Sequence, residues 1–580
     1  MQYSLKWDLD CFFPGGSHSS EFLKELDRLA SQIDSLKIPD DFDQSAGLLK
    51  TLQEIDLSLG ECDAFILCLQ SQNVADDAAN QLRAAFVALE AKFEIFNNAF
   101  DAWLTKLPTN HFETLLTQPD IAKVAFVLQE RRLRAMSKLS LEKENLVTDL
   151  SVDGYHGWGE IYPSLVSEVK VAFNSESLSF GQAENRLTDP NRKTREELFF
   201  GLQKVWKEKE SLFSQVLNHI AGFRLKVYAH RGWQSALQEP LFENRMSNET
   251  LQAMWSAVDR HKKPLVAFLK AKAKWLKIDK LAWYDIEAPL FEDSTESFSY
   301  DQGASLIIDH FHAFHPRMGE FARKACTEKW IEAEDRPGKR PGGYCVQFPR
   351  SQQSRIFMTY SGTIVNLSTL AHELGHAYHT EMVQDLPRFN QHYRMNVAET
   401  ASTFAEQIIS DSFLSQAKTR EEKLNILSDR IERSVVFMMN IHSRFLFETQ
   451  YYERRKEKFL SAKDLCELMQ KSQEKAFCSE LSTWHPYFWA AKLHFYFTGV
   501  PFYNFPYTFG YLFSLGLYSL GKKQGPSFAK QYDALLRETG MMSVEDLAKK
   551  HLGIDLTKPD FWNEAAALAT NDVEAFLKLV

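Results

Sequence analysis

The sequence is short of several things, and each shortage argues against a class of protein. Seven cysteines (Cys11, Cys62, Cys68, Cys326, Cys345, Cys466 and Cys478) are scattered through 580 residues with no C-x-x-C pair. That argues against a disulfide framework and suits a reducing compartment. Positive charge is not in excess: 67 Lys and Arg face 77 Asp and Glu, a net charge of −10, and no dense basic stripe occurs. No nucleic-acid partner is expected. The N-terminus lacks the charged start and apolar core of a secretory signal, so the expected location is the cytoplasm. One charge-free run, residues 493–521, has the length of a membrane span, but it contains Pro501, Pro506, Asn504 and four glycines and is rich in tyrosine rather than Leu, Ile and Val. It reads as the wall of a water-filled cleft, and no membrane partner is expected.

What remains is ordinary globular material. A hydrophobic content of 44% and a charged content of 25% are those of a soluble protein with a large core and room for two domain-sized units. Residues 1–190 read as successive amphipathic helices. Ser20 is the expected first cap, ahead of Phe22, Leu26, Leu29, Ile33 and Leu36 at helical spacing, and Leu82, Phe86, Leu89, Phe93 and Phe96 form a later stripe. The Gly-rich run 153–159 reads as a break between helices, and its His156 as a packed or solvated histidine. This part is expected to form an N-terminal helical domain contributing a channel wall. The chain punctuates at Thr188-Asp189-Pro190. Thr194-x-x-Glu197 then reads as a capping box opening a helix to about Val227, and residues 191–580 are expected to form the catalytic domain.

Strand signals are confined to one place. Between turn signals at Pro337-Gly338 and Pro341-Gly342-Gly343 and a following glycine, the runs 344–348 and 355–360 are short and aromatic. Such a strand either accepts an extended peptide along its edge or braces the helix that follows.

That helix carries His372-Glu373-Leu374-Gly375-His376, an H-E-x-x-H motif. Histidines four apart share one helix face and can grip one ion, while the adjacent glutamate is placed to act on water at that ion. Two imidazoles, a third ligand and an open position make a catalytic zinc layout. The extended H-E-x-x-H-x-x-G-x-x-H motif is excluded, because His379 and Met382 stand where Gly and His are required. The next helical pattern starts at about Asn396 and sets Glu399 among small and apolar residues. A buried carboxylate there needs a partner, and zinc is one; Glu399 is the expected third ligand. Glu406, seven residues on, points the same way and either orients a histidine or belongs to a salt-bridged face. Thr419-x-x-Glu422 reads as a further capping box, with helix to about Phe459. In the charge-free run, His494, Tyr496, Tyr503, Tyr507 and Tyr511 are candidate donors to an oxyanion.

Together, residues 369–379, 399–406 and the pattern His494-Phe-Tyr…Phe502-Tyr503-x-x-x-Tyr507, with Gly342-Gly-Tyr344 and residues 358–362, resemble the thimet oligopeptidase/oligoendopeptidase F family of zinc peptidases, the oligoendopeptidase F branch in particular. The resemblance implies a mainly α, two-lobed fold with a deep substrate channel and a small β segment beside the zinc helix. It implies one zinc per chain on His372, His376 and Glu399, with Glu373 as general base. His494, Tyr503 and Tyr507 would steady the tetrahedral intermediate and the substrate main chain. The implied activity is that of a metalloendopeptidase cutting internal bonds of short oligopeptides. A helical zinc carboxypeptidase or dipeptidyl carboxypeptidase is the enzymatic alternative, and a peptide-binding protein with a vestigial metal site the non-enzymatic one.

Overall fold

Apolar periodicity becomes helix along most of the chain. The structure, a computed structural model, describes residues 2–39, 45–291 and 297–580; it is 72% helical, with five strands among the described residues. Several helix starts lie near but not at the expected residue. The first helix, Ser20–Asp34, is capped by Ser19, whose hydroxyl accepts from Phe22 N; with two serines adjacent, the pattern alone leaves the register one residue uncertain. The long helix Arg192–Arg231 begins before Thr194, because Asn191 caps it by accepting from Lys193 N. Thr419 and Glu422 do form a reciprocal box, and the chain stays helical from Arg420 to Glu457 through a widened turn at Val436–Asn440. The run at 153–159 is not a break. A widened turn, Val152–His156, joins helices Leu141–Ser151 and Gly157–Ser167.

A hairpin of β1 (Lys170–Phe173) and β2 (Glu176–Ser179) went unpredicted. Its turn residues Asn174 and Ser175 both have positive φ (45° and 67°), the geometry of a tight hairpin, without the Asn-Gly sequence that signals it. The second sheet has the order β3-β5-β4: β3 (Ile331–Glu332) runs parallel to β5 (Gln353–Phe357), and β4 (Tyr344–Phe348) pairs antiparallel with β5. β5 lies two residues earlier than expected at its start, and β4 keeps one edge unpaired within the sheet.

Two large apolar cores form. One gathers residues from Trp7 to Leu128 together with Phe348, Phe357 and Phe389. The other holds Tyr3 and apolar residues from Tyr155 to Phe576. β5 serves both: alternate side chains of a strand leave opposite faces, so Ile356 enters the second core and Phe357 the first. Of the charge-free run, residues 505–521 lie in the buried helix Phe505–Gln524, while its start makes a short turn, Leu493–Tyr496; no helix among the described residues is long and apolar enough to cross a membrane.

Candidate metal centre

The motif helix runs Ile364–Val383. Thr363 caps it by accepting from Asn366 N at 3.2 Å, and the Asn366 side chain reaches back to Thr363 N at 3.4 Å. The connection after it leads into the helix Met395–Gln416, which carries Glu399. The two helices touch at backbone distance because of Gly375, where a Cβ would stand 2.6 Å from Ala401 O and Ser402 Cα. On the other side, Gly510 of helix Phe505–Gln524 approaches Asn396 O and Glu399 Cβ, each 3.1 Å from where its own Cβ would be. The Glu399 helix is clasped between two glycines.

This packing brings His372, His376 and Glu399 together, with one ligand atom of each within 4.8 Å of the others, the one such group among the described residues. Nε2 of His372 and Nε2 of His376 are 3.1 Å apart, and Glu399 Oε2 lies 3.4 and 3.5 Å from them. His372 Nδ1 donates to Glu406 Oε1 at 2.6 Å, which leaves Nε2 as the atom with a free lone pair. Glu406 is held in turn by Ser368 Oγ at 3.2 Å and by Arg433. His376 is hydrogen-bonded to the Ala398 backbone, and Ser402 Oγ donates to Glu399 Oε2 at 2.8 Å. Burial, only partly offset by Glu399, pushes His376 down to about 4, so its imidazole is neutral at pH 7. Two imidazole nitrogens and a carboxylate oxygen converging on one point fit a divalent cation.

Glu373 faces the same point. It is buried, its Oε2 has no hydrogen-bond partner, and burial pushes its carboxyl up to about 7 despite His372. Two cavities meet at the triad, and His372 and Glu399 line both. One, about 670 Å³, also takes in Glu406, Tyr507, Tyr511 and Phe413. The other, about 460 Å³, runs along Gly343, Tyr344, Cys345 and Gln347, at and beside β4, with Glu373 and His376 opposite.

The aromatic candidates divide. Tyr507 lines the larger cavity with His372 and Glu399; its ring packs edge-on to Tyr503 (5.4 Å), and Tyr503 stacks on His494 (5.3 Å). Burial holds the Tyr507 phenol well above its ordinary value, helped by its hydrogen bond with Tyr503. Burial, then Arg444 and Lys492, pushes His494 down to about 4, so at neutral pH it is a neutral donor. Tyr496 does not reach the site. It is fully buried, stacked on Tyr162 at 4.0 Å, because the short helical turn that carries it points it into the core. Tyr511 lines the cavity but is tied to Ser434 Oγ at 2.8 Å. The sequence reading missed Gly375, Ser368, Ser402 and Arg433. Of these only Gly375, inside the motif, carried a signal.

Known proteins resemble the chain over nearly its whole length. Residues 186–568 match the model of peptidase family M3, and residues 103–170 match a model described as oligopeptidase F. The chain is 24% identical to the group B oligopeptidase PepB of Streptococcus agalactiae over 97% of this chain and 95% of that one. It is 22% identical to an oligoendopeptidase F homolog of Lactococcus lactis over 99% and 97%. Among solved structures, a Chlamydophila abortus protein superposes with a TM-score of 0.86 at 18% identity, covering 99% and 98% of the two chains. Oligoendopeptidase-F from Enterococcus faecium gives 0.70 at 17%, covering 96% and 98%.

Proposed function

The chain belongs to peptidase family M3, and from that premise we propose that it is a zinc-dependent endopeptidase that hydrolyses internal bonds of short oligopeptides. The observation that carries the internal-bond reading is the pair of cavities: His372 and Glu399 line both, so a peptide can extend from the metal triad in two directions. A carboxypeptidase or dipeptidyl carboxypeptidase would close one side within one or two residues of the scissile bond.

His372 Nε2, His376 Nε2 and the Glu399 carboxylate would hold one ion, zinc in this reading, which when bound supplies the Lewis acidity that makes water nucleophilic near neutral pH. Glu406 fixes His372 in the tautomer that presents Nε2 inward. The Glu373 carboxylate takes the proton of the attacking water and passes it to the leaving amine. Tyr507 and Tyr503, with His494 behind them, direct O–H and N–H groups to the carbonyl oxygen as its charge develops. The unpaired edge of β4 borders the smaller cavity and offers main-chain hydrogen bonds to an extended substrate.

We place the division between an N-terminal helical unit, 1–190, and the catalytic unit, 191–580, at Pro190–Asn191, close to the start of the family M3 match at residue 186. Seven free thiols support a cytoplasmic setting. Quenched-fluorescent peptides of graded length, assayed with and without chelator and followed by mass spectrometry of the products, test the reading. Chelator-sensitive cleavage at internal bonds is expected. Trimming from the C-terminus alone would overturn it.

A further inference from the structure

The segment Phe497–Asn504 carries Tyr503, whose ring packs edge-on to the cavity-lining Tyr507 at 5.4 Å, and it is held by a buried guanidinium and a buried carboxyl group from different helices. Arg224, on the helix Arg192–Arg231, is 5% exposed. Its Nη2 donates to Phe497 O at 3.1 Å and Thr498 O at 3.2 Å, and its Nη1 donates to the Tyr452 hydroxyl. Glu448, on the helix Ile441–Glu457, is 4% exposed. Its Oε1 accepts from Phe502 N at 3.1 Å and its Oε2 from Asn504 Nδ2 at 2.5 Å. A guanidinium therefore meets carbonyls at the start of the segment, and a carboxyl group accepts from N–H groups at its end. The widened turn at 152–156 adds to the grip: Tyr155 donates its hydroxyl to Thr498 O at 2.8 Å.

The residues that Glu448 holds are the two neighbours of Tyr503. Phe502 has φ of +54°, a left-handed conformation that costs a bulky residue about 1–3 kcal/mol unless its surroundings enforce it. Here the carboxylate grips its N–H, and the ring stacks on Tyr452 at 5.3 Å. Asn504 caps the helix Phe505–Gln524, accepting from Phe505 N, and that helix carries Tyr507. Burying an ionised or polar carboxyl is costly unless hydrogen bonds compensate; burial pushes Glu448 up to about 8, against the pull of Arg224. A purely apolar core would fill the same space without that cost.

We propose that Glu448 is a positioning residue for the reaction: together with Arg224, it fixes the strained segment that sets the Tyr503 hydroxyl, and the helix start that sets Tyr507, towards the metal triad. This rests on the reading of Tyr503 and Tyr507 as donors to the reacting carbonyl.

The test is a double-mutant cycle on the metal-loaded full chain with a quenched-fluorescent peptide. Glu448→Gln keeps the shape but sets an amide N–H₂ against the Asn504 amide. We expect kcat to fall about ten- to hundredfold, the scale of a misplacement of about 1 Å, with metal content unchanged and KM within about twofold. In a Tyr503→Phe background Glu448→Gln should lower kcat by less than it does in the wild type, and in a Tyr503→Phe/Tyr507→Phe background by less than about twofold. Unchanged kcat, or full additivity with both Tyr503→Phe and Tyr507→Phe, overturns the proposal. If Tyr503→Phe alone leaves kcat intact, its assignment as a donor fails, and the cycle with Tyr507→Phe decides the role of Glu448. Should Glu448→Gln not fold, Asn504→Ser retains a helix cap while removing the Glu448 contact, and the same loss and the same non-additivity are expected of it.

Discussion

Replacing Gly375 with alanine should disable the metal centre without touching a ligand. The added Cβ would lie 2.6 Å from Ala401 O and Ser402 Cα and 2.9 Å from Ala401 C, against an ordinary contact of 3.4 Å or more. All three are backbone atoms, so no side chain can swing aside, and the helices must part by about 0.8 Å. Glu399 lies within one turn of Ala401 and moves with it. Ligand distances hold to about ±0.2 Å in a working site, so the shift exceeds the tolerance severalfold. Overpacking of this kind costs about 1–3 kcal/mol of stability, and a displaced reacting group costs about a hundredfold in rate. Chelator competition should show metal affinity reduced at least about tenfold, with kcat/KM about a hundredfold lower even at saturating metal. Gly510→Ala offers a graded control: its Cβ would meet Asn396 O and Glu399 Cβ at 3.1 Å, so its effect should be smaller. A Gly375→Ala protein with the wild-type metal affinity and rate would refute the idea that this contact sets the third ligand.

Glu373→Gln should keep metal content and melting temperature while losing at least about a thousandfold in kcat; comparable turnover would exclude it as the base. Glu406→Gln should weaken metal binding about ten- to hundredfold by equilibrium dialysis, since the His372 N–H loses its charged acceptor. Stability should also respond to acid through Glu130, whose oxygens accept from Arg245 Nε and Nη2 at 2.7 Å and from Arg394 at 2.9 Å. Burial raises its pKa, but the Arg245 hydrogen bonds and the charges of both arginines outweigh that and hold it below its ordinary 4.5. The folded state therefore binds this proton less readily than the unfolded chain. The contribution is full above about pH 4.5 and fades as pH falls through the lower folded value. Melting curves between pH 3 and 6, about the window of that shift, should show Glu130→Gln with a shallower acid slope than wild type, and parallel slopes would count against the clamp.

The candidate metal site, the convergence of His372, His376 and Glu399, was legible because its information is local. Histidines four apart need only a helix, and a glutamate among small residues on the next helix has few other uses. The donors opposite were only partly legible: five aromatic candidates lie within eighteen residues, and which of them face the cavity depends on the short turn at Leu493–Tyr496 and the left-handed Phe502. Tyr496 fell on the wrong side for that reason. The β1–β2 hairpin escaped because Asn174-Ser175 lacks the glycine that advertises such a turn, and Ser19 and Asn191 moved helix starts because several residue types cap equally well. The role of Gly375 is tertiary, and inside a motif whose middle positions tolerate variation it carries little weight until the neighbouring helix is in place.

The shared strand has a consequence for synthesis. The first core is assembled from residues up to Leu128, but it is closed by Phe348, Phe357 and Phe389. At about 5–20 residues per second, a ribosome delivers Phe348 roughly 10–45 s after Leu128. Through that interval the nascent N-terminal helices hold an apolar face with no lid, so this part of the chain invites chaperone capture during translation. A fragment ending near residue 190 lacks the same three aromatic rings permanently.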